Sequence, residues 1–238
     1  MTGNRPLQRF LRCSFLLACL LPAAAAYSVE TVFSDSMKLD NDRRAGQTLD
    51  SSAMEEGSAT WFVDGSVVFR KDGGVTSSAA GGGTACHPLP FAANIYRISA
   101  EISPASTSCT AISVGNKIPF GDYFHASAIS FILNADGGYD VMVRGFGKIK
   151  SGTKADYPDF NAEGFTKLEL EYNSTNNTVT AKINGKIIMD SQVLVSKKVG
   201  PFFTHASFRF NGPLEAGVPK LKNYSITLIH NLVPPPPE

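Results

Sequence analysis

From Ala59 to the end of the chain one arrangement recurs, a short run of β-branched or aromatic residues closed by Gly, Asn or Asp. Runs of this kind are half-buried strands separated by turns. No apolar stripe at 3.6-residue spacing lasts for three helical turns, so the chain offers no amphipathic helix to lay on a sheet. Tyr96, Ile98, Ala100 and Ile102 alternate with Arg97, Ser99 and Glu101, which buries one face of a strand and wets the other. Many such strands predict an all-β fold of two packed antiparallel sheets. With 238 residues, 43% hydrophobic and 18% charged, one sandwich accounts for the chain.

Individual hairpins can be read. Leu168 to Tyr172 and Thr178 to Ile183 flank an Asn/Ser/Thr turn, with Tyr172 opposite Val179 and Glu169 opposite Lys182. Leu168, Leu170, Val179, Ala181 and Ile183 then face inward. Ser127 to Asn134 and Tyr139 to Arg144 flank Ala135-Asp136-Gly137-Gly138, which puts Phe131 with Met142 on one face and Ile132 with Val141 on the other. Asp64-Gly65 and Asp72-Gly73-Gly74 carry two further hairpin signals. Tyr27 to Phe33 is a first strand, expected near the last at Tyr224 to Ile229. The polar stretch from Ser34 to Ser58 has little periodicity and reads as a surface excursion.

Residues 1–26 carry Arg5, Arg9 and Arg12, an apolar run from Cys13, and Ala23-Ala24-Ala25-Ala26. This is a signal peptide cleaved after Ala26. A retained anchor is the alternative, but 14 residues from Cys13 to Ala26 fall short of the roughly 20 that span a bilayer. A lipobox at Leu16-Leu17-Ala18-Cys19 is the other. No later segment is long and apolar enough to span a membrane, so residues 27–232 form a secreted domain, extracellular, periplasmic or at the cell surface. Residues 233–238 are a proline-rich tail. Without the leader's three arginines the net charge passes from +1 to −2, which excludes a strongly basic nucleic-acid binder. Cleavage leaves Cys86 and Cys109, an even pair that reads as one disulfide in an oxidising compartment, with two separate thiols as the alternative. The sequence requires no cofactor and leaves the oligomeric state open.

Ala59-Thr60-Trp61 leading to Asp64-Gly65, the run Tyr96 to Ile102, and above all Lys167 to Ile188 with its Asn184-Gly185 turn resemble the concanavalin A-like lectin/glucanase sandwich in its laminin-G-like bacterial forms. The resemblance implies a two-sheet jelly roll and a carbohydrate or other extracellular ligand, with a polysaccharide or glycan as partner. Fold alone does not assign an activity. A structural or adhesive surface protein without a sugar site is the alternative, and a glycan-cleaving enzyme ranks below both.

Glucan hydrolases of that superfamily carry Glu-x-Asp-x-x-Glu, whose carboxyl pair flanks the scissile bond. Here only Glu169-Leu170-Glu171 comes near, and Lys182 opposite Glu169 makes it a solvent-face charge pair. The Arg-rich strand and Gln-x-His motif of alginate-lyase sandwiches are not matched either. His87, His125, His205 and His230 show no metal-ligand spacing, and His87 beside Cys86 makes no zinc motif. Asn134 to Asp140 is a hairpin turn rather than a calcium loop, because no acidic residue stands at position twelve. Sequons occur at Asn173, Asn176 and Asn223. For ligand binding, Tyr123 and His125 in one loop and Asp156 and Tyr157 in another combine aromatic faces with groups that bond hydroxyls. Packing of Tyr123 against the core is the competing reading.

Overall fold

A computed structural model describes residues 27–79, 81–90, 92–104, 109–121, 123, 127–194, 203–212 and 219–232. The expected leader, residues 1–26, and the proline-rich tail, residues 233–238, lie outside them. Fifteen strands follow in order: β1 (Tyr27–Asp35), β2 (Phe62–Gly65), β3 (Val67–Phe69), β4 (Val75–Ser77), β5 (Gly82–Pro88), β6 (Ile95–Ser103), β7 (Cys109–Gly115), β8 (Ser127–Asn134), β9 (Tyr139–Val143), β10 (Gly147–Gly152), β11 (Thr166–Asn173), β12 (Thr178–Ile183), β13 (Lys186–Val193), β14 (His205–Asn211) and β15 (Lys220–Leu232). An eight-stranded sheet runs β13-β12-β11-β6-β15-β4-β3, with β1 also on β15. A seven-stranded sheet runs β10-β9-β8-β7-β14-β5-β2. All pairings are antiparallel, and the two-sheet jelly-roll sandwich is the architecture.

The core lies between the sheets. Leu168, Leu170, Val179, Ala181 and Ile183 enter it from one, and Ile112, Phe131, Val141, Phe208 and Phe210 from the other. Trp61 is wholly buried, with His87, Phe208 and Tyr224 packed edge-on around it at centroid distances of 5.2, 5.3 and 5.0 Å. Each fully buried aromatic of this kind contributes about 1.5–3 kcal/mol over an exposed one.

The β11–β12 register is as read, with Tyr172 opposite Val179 and Glu169 opposite Lys182, and β1 pairs with β15 from Tyr27–Leu232 to Asp35–Tyr224. The β8–β9 hairpin differs by one residue. Phe131 stands opposite Val141 and Leu133 opposite Tyr139, so Phe131 shares the core face with Val141, while Ile132 and Met142 turn away from it. Asn134 N–H bonds to Gly138 C=O at 2.8 Å, so the turn closes on three residues, 135–137, rather than four, and a slip of one exchanges the faces. Asp64-Gly65 is no hairpin either. There β2 leaves the seven-stranded sheet and β3 begins in the other. Gly65, at φ +85°, passes so close to β5 that a Cβ would stand 2.9 Å from the Gly82 carbonyl oxygen. Asp72-Gly73 does turn β3 into β4.

The stretch after β1 is irregular, yet it is not a surface excursion. It buries Met37, Leu49 and Met54, and with them Arg43 against Asp35. Two bridges, Thr48 to Val68 and Ala53 to Thr60, pin it to the sandwich.

Cys86 and Cys109 are free thiols, which overturns the expected disulfide. Cys86 pairs with Ser207 and Cys109 with Asn211 on opposite flanks of β14. Two strands and four residues of register separate their Cα atoms by roughly 16 Å on standard strand spacing and rise. A disulfide spans no more than about 7 Å. Burial pushes the Cys86 thiol up to about 12 and raises that of Cys109, so both stay protonated.

Candidate functional site

Strand alternation turns Cys86, Ser113, Ser130, Ser207, Arg209 and Met142 to the face of the seven-stranded sheet that looks away from the core. A row of hydroxyls crosses this face. Ser113 Oγ lies 2.7 Å from Ser207 Oγ and 3.0 Å from Ser127 Oγ. These serines are buried, Ser113 and Ser207 beside Tyr123, and three bonds hold residues 116–121 in place as part of the same cover. Asp64 accepts from Gly121 N–H at 2.9 Å, Arg209 Nη1 donates to the Gly121 carbonyl at 3.2 Å, and Arg144 Nη2 donates to Asn116 Oδ1 at 3.0 Å.

Tyr123 belongs to this cover. Its ring, 1% exposed, rests on Ala111 and Ile132 with Met142 beside them, under the Arg209 guanidinium 5.6 Å from its centroid. Burial pushes the phenol up to about 12, against the lowering effect of Ser113 and Ser207. A groove of about 480 Å³ remains open beside it, lined by Ser127, Ser130, Met142, Val143, Arg144, Gly145 and Gly147. Hydroxyls, a thioether and a guanidinium around one hollow are the mixture that holds a polar ligand with an apolar face. Sequence reading passed over these residues. The signal was present in Ser127 and Ser130 interrupting an apolar strand, and in Arg144 closing another.

The other predicted loop is built differently. Thr153 and Asp156 cap a short 3-10 turn, Lys154–Asp156, in which the Asp156 carboxylate accepts from Thr153 N–H at 3.0 Å and Tyr139 hydroxyl at 3.1 Å. Those two bonds, the Thr153 one foremost, hold its carboxyl below the ordinary range. Tyr157 is 2% exposed, packs edge-on to Tyr139 and Phe160 at 6.0 and 5.9 Å, and donates its hydroxyl to the Gly137 carbonyl. Gly137 is at φ +83°, where a Cβ would stand 2.7 Å from the Phe160 ring. The two loops do not converge. Tyr157 is in the core between the sheets and Tyr123 on the opposite face of the seven-stranded sheet. Neither ring presents a face for stacking, and His125 lies outside the described residues.

Carboxylates are committed elsewhere. Asp140 accepts from Ser151 at 2.6 Å and pairs with Lys148 at 2.8 Å, while Asp136 caps Gly138 N–H within its turn. Glu169 pairs with Lys167 and Glu171 with Arg97 on the solvent face of β11. Among the described residues no three His, Cys, Asp or Glu side chains gather as metal ligands. A second hollow, of about 500 Å³, is lined by Asp40, Asp42, Arg43, Asp50 and Glu55 among others. Asp40 caps the Asp42 and Arg43 N–H groups, Asp50 the Val63 N–H, and Glu55 holds Ser36. Those acids organise their own loop.

No family model matches the chain, and no curated protein matches it. Among solved structures it is similar to lectin II from Ulex europaeus, with a TM-score of 0.51 at 9% identity over 84% of this chain and 98% of that one. It is also similar to a Bacillus subtilis protein of unknown function with a galectin-like fold, at a TM-score of 0.49 and 14% identity over 72% and 90%. The VIP36 exoplasmic/lumenal domain in its Ca2+/Man3GlcNAc-bound form gives 0.48 and 13% over 74% and 87%. The Ulex europaeus lectin thus shares the two-sheet sandwich fold with this chain. No helix among the described residues is long and apolar enough to cross a membrane.

Proposed function

We propose that this protein is a secreted, non-catalytic carbohydrate-binding module, exported by its cleaved 1–26 leader. The groove at Ser130, Met142 and Arg144 carries this reading. It lies on the open face of a sandwich whose relative from Ulex europaeus is a lectin, and it combines an apolar thioether with hydrogen-bonding groups. The non-catalytic part rests on the described carboxylates near it, Asp140 and Asp64, which are already bonded to Lys148, Ser151 and Gly121. A glycan-array screen combined with a reducing-sugar assay tests both parts. Binding without release of reducing ends is expected. Release from any polysaccharide overturns the non-catalytic reading.

A structural or adhesive role without a sugar site is the second reading, favoured by the enclosure of Tyr123 and Tyr157. Absence of binding across the array would establish it over the first.

A further inference from the structure

Among the described residues that line it, the groove holds a positive charge and no carboxylate. Of its lining residues only Arg144 is ionised, and its bond is to the neutral amide oxygen of Asn116, which uses one of five guanidinium donors. Nearby, Lys148 is neutralised by Asp140, and Arg209 is engaged with the Gly121 carbonyl and the Tyr123 ring. The acids nearby among the described residues are spent: Asp140 on Lys148 and Ser151, Asp64 on the Gly121 N–H. A site for neutral sugars needs acceptors for the hydroxyl protons of its ligand, and a carboxylate is the strongest acceptor a side chain supplies. This groove presents donors instead. Ser127 and Ser130 hydroxyls can give or take, whereas Arg144 can only give. A half-buried guanidinium with no carboxylate bonded to it among the described residues matches a planar or tetrahedral anion, which it binds through paired N–H bonds.

Resting on the carbohydrate-binding reading, we propose that the groove takes an acidic saccharide, one bearing a carboxylate or sulfate, and that Arg144 is the residue that recognises the anion. Met142 and the Tyr123 cover bound the space beside it. The site therefore reads the charged group of a sugar unit against the β9–β10 turn.

Binding of the purified protein to polygalacturonate, chondroitin sulfate, neutral galactan and dextran, followed by affinity electrophoresis and calorimetry, tests this. At least one acidic polymer is expected to bind and the neutral ones not. Raising salt from about 50 to about 500 mM should weaken that binding severalfold, as screening of an ion pair requires. Arg144→Ala should lower affinity for the acidic polymer at least tenfold, Arg144→Lys less, and Arg97→Ala, on the other sheet, not at all. Circular dichroism and the melting temperature of each variant establish that it is folded. Binding of a neutral polymer as tight as that of the acidic ones, or an Arg144→Ala variant with unchanged affinity, overturns the proposal while leaving carbohydrate binding standing. Binding to none of the four polymers overturns this inference, and silence across the glycan array as well removes the carbohydrate reading with it.

Discussion

Arg43 grips Asp35 through both carboxylate oxygens, Nη1 to Oδ1 at 2.6 Å and Nη2 to Oδ2 at 2.9 Å, in a site where the Asp35 side chain has no exposure. Trp61 Nε1 and Met37 N–H complete the acceptor's shell, and the Ala53 carbonyl and Glu55 take further Arg43 donors. With every partner satisfied the pair ties the irregular stretch to β1 and Trp61. Removing one partner strands a charge in the interior. Asp35→Asn or Arg43→Met is therefore expected to cost about 3–5 kcal/mol in urea unfolding. A loss below about 1 kcal/mol would mean the pair is solvated.

Acid should unfold the protein earlier than its carboxylates alone require. His87 is buried against Trp61 and Phe33, with Nε2 3.1 Å from the Tyr224 hydroxyl. Burial lowers its pKa from 6.5 to about 4, opposed in part by the Pro88 carbonyl. The native state thus refuses a proton that the unfolded chain accepts. Above pH 6.5 the group is neutral in both states and contributes nothing to the pH dependence. Stability falls as pH drops from 6.5 towards 4, by about 3 kcal/mol in all. Urea melts across that window should show the slope in wild type and a shallower one in His87→Gln; equal slopes would refute the assignment.

Tyr157→Ala is expected to destabilise by about 3–5 kcal/mol, the range for emptying a core aromatic site. Tyr157→Phe, which leaves the Gly137 carbonyl without its donor, should cost about 1–3 kcal/mol. Thermal melts measure both. Unchanged melting temperatures would return the ring to the surface.

Cys86 and Cys109 should be recovered as separate unlinked peptides after digestion without reductant. In the native protein Cys86 should resist thiol reagents, because it is buried and protonated at neutral pH. A linked pair in mass spectra would contradict a separation of two strands.

What could be read from the sequence was whatever local alternation specifies. Leu168, Leu170, Val179 and Ala181 give one consistent face, and the β11–β12 register follows. Phe131, Ile132, Val141 and Met142 are apolar on both faces, so no pattern chose between two loop lengths, and the faces came out exchanged. Asp35 and Arg43 are polar letters in an aperiodic stretch. Their burial depends on Trp61, 26 residues from Asp35, which no local signal reports. Tyr123 and Tyr157 were recognised as aromatics in loops beside polar groups. Whether such rings face water or cover a sheet is decided by what lies beneath them, here Ala111 and Ile132 for one and Tyr139 for the other.

The order of strands has a kinetic consequence. β15, the last of the described strands, lies inside the eight-stranded sheet, with β6 on one side and β1 and β4 on the other. Its partner β1 is the first strand. The sheet therefore stays split, and the Trp61–Tyr224 contact unmade, until β15 has been made. Contacts of such sequence separation form slowly. A chain of this topology keeps its larger sheet in two unjoined parts until β15 slides between β1 and β6, so closure of the sandwich waits on one strand.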